Sequence, residues 1–288
     1  MHFVDAKAAL SRPNGLNIYR GCAHGCVYCD SRSTCYQFTH PFEDIEVKQN
    51  TPALLEALLQ KKRQKIVIST GSMSDPYQPC EKELKLTRRF LELIDQYGFG
   101  ASVHTKSDLV LRDIDLFESI NRKTKSVLQM TLTVADEGLS RILEPNVCTT
   151  ARRYEVLKAF QKRGVPTVVW MTPILPFLTD TEENLRAILD CCFDAGVKGI
   201  VCWNAGMTLR SGDREYYYRA LDRHFPGLSG RYRRQYGDAY EVNSPDNERL
   251  MRIFHAECEK HRVIHDPDEC FRYIAEIADR QTQLPLFE

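Results

Sequence analysis

The 288-residue chain has no excess of either charge, because 39 Lys and Arg stand against 39 Asp and Glu. A surface built as a whole for polyanions is therefore excluded, although a local basic patch is not. No apolar run reaches membrane-spanning length. The opening segment, Met-His-Phe-Val-Asp-Ala-Lys, lacks the layout of a secretory leader. Its 11 cysteines are accordingly expected to stay reduced, in a cytoplasmic setting. Their odd number and the length of the chain argue against a disulfide scaffold. There is no internal repeat of solenoid period and no low-complexity tract. With 43% hydrophobic and 27% charged residues, the remaining class is a globular protein with a real core.

The most informative feature present is the run Tyr19-Arg20-Gly21-Cys22-Ala23-His24-Gly25-Cys26-Val27-Tyr28-Cys29. Three thiolates so closely spaced can hold three corners of an iron–sulfur cube. Electron-transfer clusters usually take four cysteines. Here the fourth iron keeps an open position, as catalytic metal sites do. A structural zinc site is the alternative, but such sites pair two knuckles well apart in sequence. No second knuckle follows, and His24 is trapped between candidate ligands.

Beyond the cysteines the chain alternates. Lys65–Thr70, Gly100–Thr105, Ser126–Thr133, Thr167–Thr172 and Gly199–Trp203 read as short, β-branched buried strands. Leu16–Arg20 reads as an opening strand. Helices are expected over Lys82–Tyr97, Asp113–Arg122, Thr149–Arg163 and Thr181–Ala195, most of them stopped by glycine. Connections of this length imply parallel strands and right-handed crossovers. The expected fold is α/β: a partial (β/α)6 TIM-type barrel with a helical C-terminal extension. The extension comprises helices Arg214–His224, Pro245–Arg262 and Pro267–Arg280, with Tyr232–Tyr240 irregular. The division falls at residues 1–210, 211–280 and a flexible tail, 281–288.

In parallel folds the site lies at the carboxyl ends of the strands. The cysteine loop, the segment Gly71–Tyr77, His104-Thr105-Lys106, Thr131, Thr133, Thr172 and Asn204 would share one mouth. The cysteine run, Ser74-Asp75-Pro76-Tyr77-Gln78-Pro79, Thr105-Lys106-Ser107 and Leu143-Glu144-Pro145 together resemble the spore photoproduct lyase-like branch of the radical S-adenosylmethionine (SAM) enzymes.

That resemblance implies a [4Fe–4S] cluster on Cys22, Cys26 and Cys29, with SAM on the open iron. It implies a 5′-deoxyadenosyl radical that abstracts hydrogen from the substrate, and an electron donor such as flavodoxin or ferredoxin. Tyr28 would flank the adenine. Lys106, Ser72, Ser74, Asp75 and Thr131, or Thr133 in its place, would surround the cofactor, since a carboxylate wants a cation or hydroxyl donors. The lyases of the branch carry a cysteine where this chain has Ser72. A serine O–H bond is too strong to return a hydrogen atom, so either another group donates it, with Cys35, Cys80, Cys148 and Cys202 as candidates, or the reaction differs.

The branch acts on DNA, which implies a nucleic-acid substrate and lesion repair. Arg231, Tyr232, Arg233, Arg234 and Tyr236 interleave cations with aromatics, a pattern that can bind phosphates and stack bases. In the tail, Gln283, Leu284, Leu286 and Phe287 resemble a pentapeptide that docks repair proteins on the bacterial sliding clamp. Two other readings are open: the same radical chemistry on a peptide, tRNA or small molecule, and a non-enzymatic clamp-associated module with a structural metal.

Overall fold

Five parallel strands, Val67–Thr70, Gly100–Thr105, Ser126–Thr131, Thr167–Trp170 and Gly199–Val201, lie side by side in chain order. The computed structural model describes residues 1–11 and 14–277, so the candidate clamp motif Gln283–Phe287 lies outside the described residues. The strands are short, β-branched and buried on both faces, as parallel strands covered by helices must be. Period-two alternation divides their side chains. Val103, Leu128, Met130, Val169 and Ile200 point into the main core beneath the helices. Val127, Val168 and Val201 point to the concave side.

Helices Leu86–Tyr97, Ile114–Lys123, Thr150–Lys162 and Glu182–Asp194 supply the crossovers. This is the α/β partial barrel that the alternation predicts. Two expected elements differ. The helix expected over Lys82–Tyr97 is broken at Lys85, which adopts a left-handed conformation (φ 53°). Leu16–Arg20 is not a full sixth strand: it touches the sheet at a single bridge, Gly15 to Ser69. Tyr19–Arg20 instead pairs antiparallel with Glu46–Lys48, which pairs parallel with His2–Val4. Its backbone groups are satisfied there rather than in the barrel. Helices Thr51–Lys61 and Glu137–Leu143 were not anticipated.

The C-terminal part contains Asp213–His224, Asn247–His261 and Pro267–Ala275, close to expectation. The basic, tyrosine-rich stretch is not irregular but forms helix Leu228–Tyr236, bracketed by Gly227 and Gly237 in positive φ. The last helix enters the concave side of the sheet. Cys270 and Ile274 pack there against Val127, Val168 and Val201. Lys125 Nζ donates to the carbonyls of Tyr273 and Glu276, placing a cation at the helix C-terminus. The helix thus fills the inner space that five strands leave unclosed. Among the described residues, no helix is long and apolar enough to cross a membrane.

Candidate functional site

The cysteine loop is pinned on three sides. Ser74 Oγ donates to the Gly21 carbonyl, and Ala23 N donates to Gln78 Oε1 at 3.1 Å. Val27 N donates to the Leu143 carbonyl at 2.9 Å, and Asn146 Nδ2 donates to the Ala23 carbonyl at 3.0 Å. Beyond the cysteines, Ser33 Oγ donates to Asp213 Oδ1 at 3.0 Å. Two glycines make the close approaches possible. A Cβ on Gly21 would lie 2.4 Å from the Phe42 carbonyl oxygen, and one on Gly71 would lie 2.0 Å from that of His104. Both have positive φ, which glycine alone adopts freely.

Asp213 brings its own electrostatics. Its Oδ2 is buried without a hydrogen-bond partner, and burial raises its pKa to about 6. A carboxyl raised in this way contributes most to stability below its unfolded pKa, and that contribution is lost as pH rises through about 6. The stability advantage of Asp213→Asn over the native protein should therefore grow between about pH 4 and pH 7, by on the order of 2 kcal/mol. Thermal melts at both pH values check this, and a constant gap rejects it.

Two cavities meet at the cysteines. The smaller, about 100 Å³, is lined by Cys22, Cys26, Cys29, Ser72, Ser74, Asp75 and Lys106 among others. The larger, about 480 Å³, is lined by Cys26, Tyr28, Cys29, Ser72, Lys106 and Thr131 on one side. Its other wall holds His104, Trp170, Trp203 and Asn204. All 11 cysteines are free thiols.

A buried polar network joins the loop to the strand ends. The Tyr28 hydroxyl donates to Glu144, whose carboxylate pairs with Arg153 at 2.6 Å. Neither charged side chain reaches solvent. Arg153 in turn donates to the carbonyls of Thr131 (3.1 Å) and Lys106 (3.2 Å). Burial opposes charge on Glu144, but Arg153 and then Lys106 more than offset it and hold its pKa below the usual range. Glu144 is the middle of the Leu-Glu-Pro segment, whose physical role is now visible. Arg153 sits in the first turn of helix Thr150–Lys162, and no local pattern marks it in the sequence.

Asp75 is occupied by the protein itself. It accepts from Thr105 Oγ1 (2.7 Å), Lys106 N (2.8 Å) and Tyr77 N (2.8 Å), and pairs with His24 at 3.3 Å. Burial opposes its charge, and His24 with these donors holds its pKa well below the carboxylate range. Asp75 therefore positions the loops, and Ser74 does the same through Gly21. The Lys106 ammonium differs: it has no hydrogen bond or ion pair among the described residues, and lies 5.8 Å from the Tyr28 ring centroid. Burial opposes its charge, yet Cys26 and Glu144 raise its pKa, so it stays a cation.

Thr131 lines the larger cavity and shares a 2.8 Å hydrogen bond with His104 Nε2. Thr133 lines neither cavity and is buried in the loop after the strand. His104 is neutral, because burial and then Lys106 push its pKa down to about 3. None of Cys35, Cys80, Cys148 and Cys202 lines the larger cavity. Cys202 points into the helical core and Cys35 is exposed. The basic stretch is split by its helix. Tyr232 is fully buried and donates to the Pro176 carbonyl at 2.6 Å, and Tyr236 donates to that of Asn243 at 2.7 Å. Tyr232 offers no stacking face and Tyr236 is half-buried, whereas Arg231, Arg233 and Arg234 are exposed. The spacing in sequence could not show which side of a helix each would take.

The thiols fit a cluster better than a single ion. Among the described residues only His2, His40 and Glu46 bring three candidate ligand atoms within 4.8 Å of one another, so the three thiols are spread wider. In a cube each cysteine meets its own iron and no such convergence is needed.

Comparison with known proteins agrees. An uncharacterized protein of Mycobacterium tuberculosis is 31% identical over 250 residues, covering 82% of this chain and 73% of its own. One of Methanocaldococcus jannaschii is 37% identical over 171 residues, covering 58% and 62%. A structure of spore photoproduct lyase complexed with dinucleoside spore photoproduct superposes with a TM-score of 0.61, at 14% identity, over 90% of this chain and 78% of that one. A mutant of that lyase with bound AdoMet gives 0.60 at 13% identity, over 90% and 78%. At such identities the likeness concerns the fold. Residues 16–191, more than half of the chain and including all three cysteines, match the Radical SAM superfamily. The chain therefore belongs to the radical SAM superfamily, whose members use a [4Fe–4S] cluster and SAM.

Proposed function

We propose that this protein is a radical SAM enzyme of the spore photoproduct lyase-like kind, acting on a nucleic-acid lesion. The observation that carries the substrate class is a group of exposed arginines on two neighbouring helices. Arg219, Arg223, Arg231, Arg233 and Arg234, on helices Asp213–His224 and Leu228–Tyr236, are exposed. None of the five side chains has an ion pair or hydrogen bond among the described residues, although Arg219, Arg231 and Arg233 lie over the rings of Tyr216, Phe177 and Tyr218. Guanidinium groups without carboxylate partners are suited to phosphate oxygens. The same lobe contributes Met207, Thr208 and Glu241 to the larger cavity.

In this reading Cys22, Cys26 and Cys29 hold the cluster, and Lys106 takes the SAM carboxylate. Tyr28 and Thr131 border the cofactor, and Ser72 lies at the mouth. Cluster and SAM together supply a 5′-deoxyadenosyl radical able to remove a hydrogen atom from carbon. The chain's part is to keep that radical away from water and aimed at one carbon. Its means are the Tyr28–Glu144–Arg153 network, which fixes the loop against the strand ends, and the neutral His104, which adds no charge beside the cavity.

The test is anaerobic reconstitution with iron and sulfide, followed by measurement of 5′-deoxyadenosine with and without UV-irradiated oligonucleotides. Stimulation by irradiated DNA supports the reading. An absence of binding and stimulation by any DNA or RNA rejects the substrate class. Lys106→Met should weaken SAM binding roughly 10- to 100-fold, the worth of a charge-assisted hydrogen bond. Equilibrium SAM binding, with iron content measured alongside, checks it.

A further inference from the structure

The larger cavity has a wall that cofactor binding does not use. His104 and Trp170 stack at 4.6 Å with an interplanar angle of 18°. Trp170 is locked from its other side, since its Nε1 donates to Gln129 Oε1 at 2.7 Å. Trp203 packs edge-on against Trp170, with ring centroids 5.7 Å apart. Phe271, carried in by the last helix, lies 5.8 Å from Trp170 and 6.0 Å from Trp203. The sequence has only two tryptophans, and both line this cavity.

The outer members of the wall are open to water. Trp203 is 52% exposed and Phe271 is 37% exposed. A single exposed apolar side chain needs no explanation. Two exposed aromatic rings in mutual contact, continuous with a half-buried tryptophan and histidine, form a shaped surface. Its inner rings are held by hydrogen bonds and stacking, so it is largely pre-formed and little side-chain entropy is lost when a ligand lands. Around it Thr172, Asn204 and Glu241 line the same cavity with donors and acceptors.

We propose that this wall is a base-stacking platform. One nucleobase of a polynucleotide rests on Trp203, flanked by Phe271, at the entrance to the cavity that the cysteines face. This deepens the nucleic-acid reading and rests on it. An apolar peptide side chain would fit the rings but not the setting, which combines polar edge groups with five exposed arginines that have no carboxylate partner among the described residues, on the adjoining lobe. A base is flat, has polar edges and comes with phosphates. A base in a duplex would have to leave its stack to reach the wall, and part of the lost stacking would be replaced by the indole. The helix bearing Phe271 then belongs to the substrate site as well as to the core.

The experiment uses reconstituted holoenzyme with SAM and a fluorescein-labelled single-stranded DNA 10-mer, read by anisotropy. Trp203→Ala should weaken binding about 10- to 100-fold, and Phe271→Ala by a smaller factor. Trp203→Phe keeps a stacking face and should stay within about threefold of the native protein. Because both side chains are exposed, the variants are expected to fold, which circular dichroism verifies. If the native protein binds and Trp203→Ala binds equally well, the platform is overturned and the nucleic-acid reading stands. If the native protein binds no oligonucleotide, both fall together. Equal losses in Trp203→Ala and Trp203→Phe also overturn the platform, since stacking would not be the cause.

Discussion

Replacement of Cys22, Cys26 and Cys29 by alanine should give a colourless protein that forms no 5′-deoxyadenosine after anaerobic reconstitution. The expected effect is complete, because no other group of the loop can take over. His24 is engaged by Asp75 at 3.3 Å. None of the remaining cysteines lines either cavity at the loop. The fold should survive, since the thiols do not carry the packing. The loop is held by Ser74, Gln78, Leu143 and Asn146 through backbone contacts that alanine leaves intact. Absorbance near 400 nm (roughly where such clusters absorb), iron content and circular dichroism measured together check the result. Retained colour or retained cleavage would remove the cluster from these residues.

Arg153→Ala should be the most destabilising single substitution at the site. It leaves the Glu144 carboxylate buried beside Tyr28 with its charge unpaired, which typically costs about 3–5 kcal/mol. For a domain of this size the melting temperature should fall on the order of 10 °C. It should also loosen Lys106 and Thr131, whose carbonyls lose their donor. The paired variant Glu144→Gln with Arg153→Met should be less damaged than Arg153→Ala alone, because no charge is stranded. Thermal melts of the three variants decide the point. A fall of only a degree or two for Arg153→Ala would mean that water reaches Glu144.

The sheet was readable because each strand is a short β-branched run closed by a polar residue, and helices with glycine stops separate them. The cluster loop was readable because the spacing of thiols is itself the chemistry. Lys106 and Thr131 followed from strand register, as residues at the carboxyl ends of neighbouring strands. What escaped depends on how the chain turns. Glu144 follows one helix and Arg153 lies in the first turn of the next, so neither a helical nor a strand period pairs them. Tyr232 and its neighbouring arginines looked like one surface until the helix turned them apart. Trp203 and Phe271 are separated by three helices, and nothing local says that they touch.

The last helix sets a condition on biosynthesis. Val127, Val168 and Val201 face an empty groove until Cys270 and Ile274 arrive. Gly199, at the start of the last strand, pairs with Ile264 just before that helix. A ribosome-bound chain that has finished all five strands therefore still exposes its inner apolar face, and lacks Phe271. Contacts of such long sequence separation form late. The polypeptide should be vulnerable to proteases, and unready to shield a radical, until helix Pro267–Ala275 has left the ribosome.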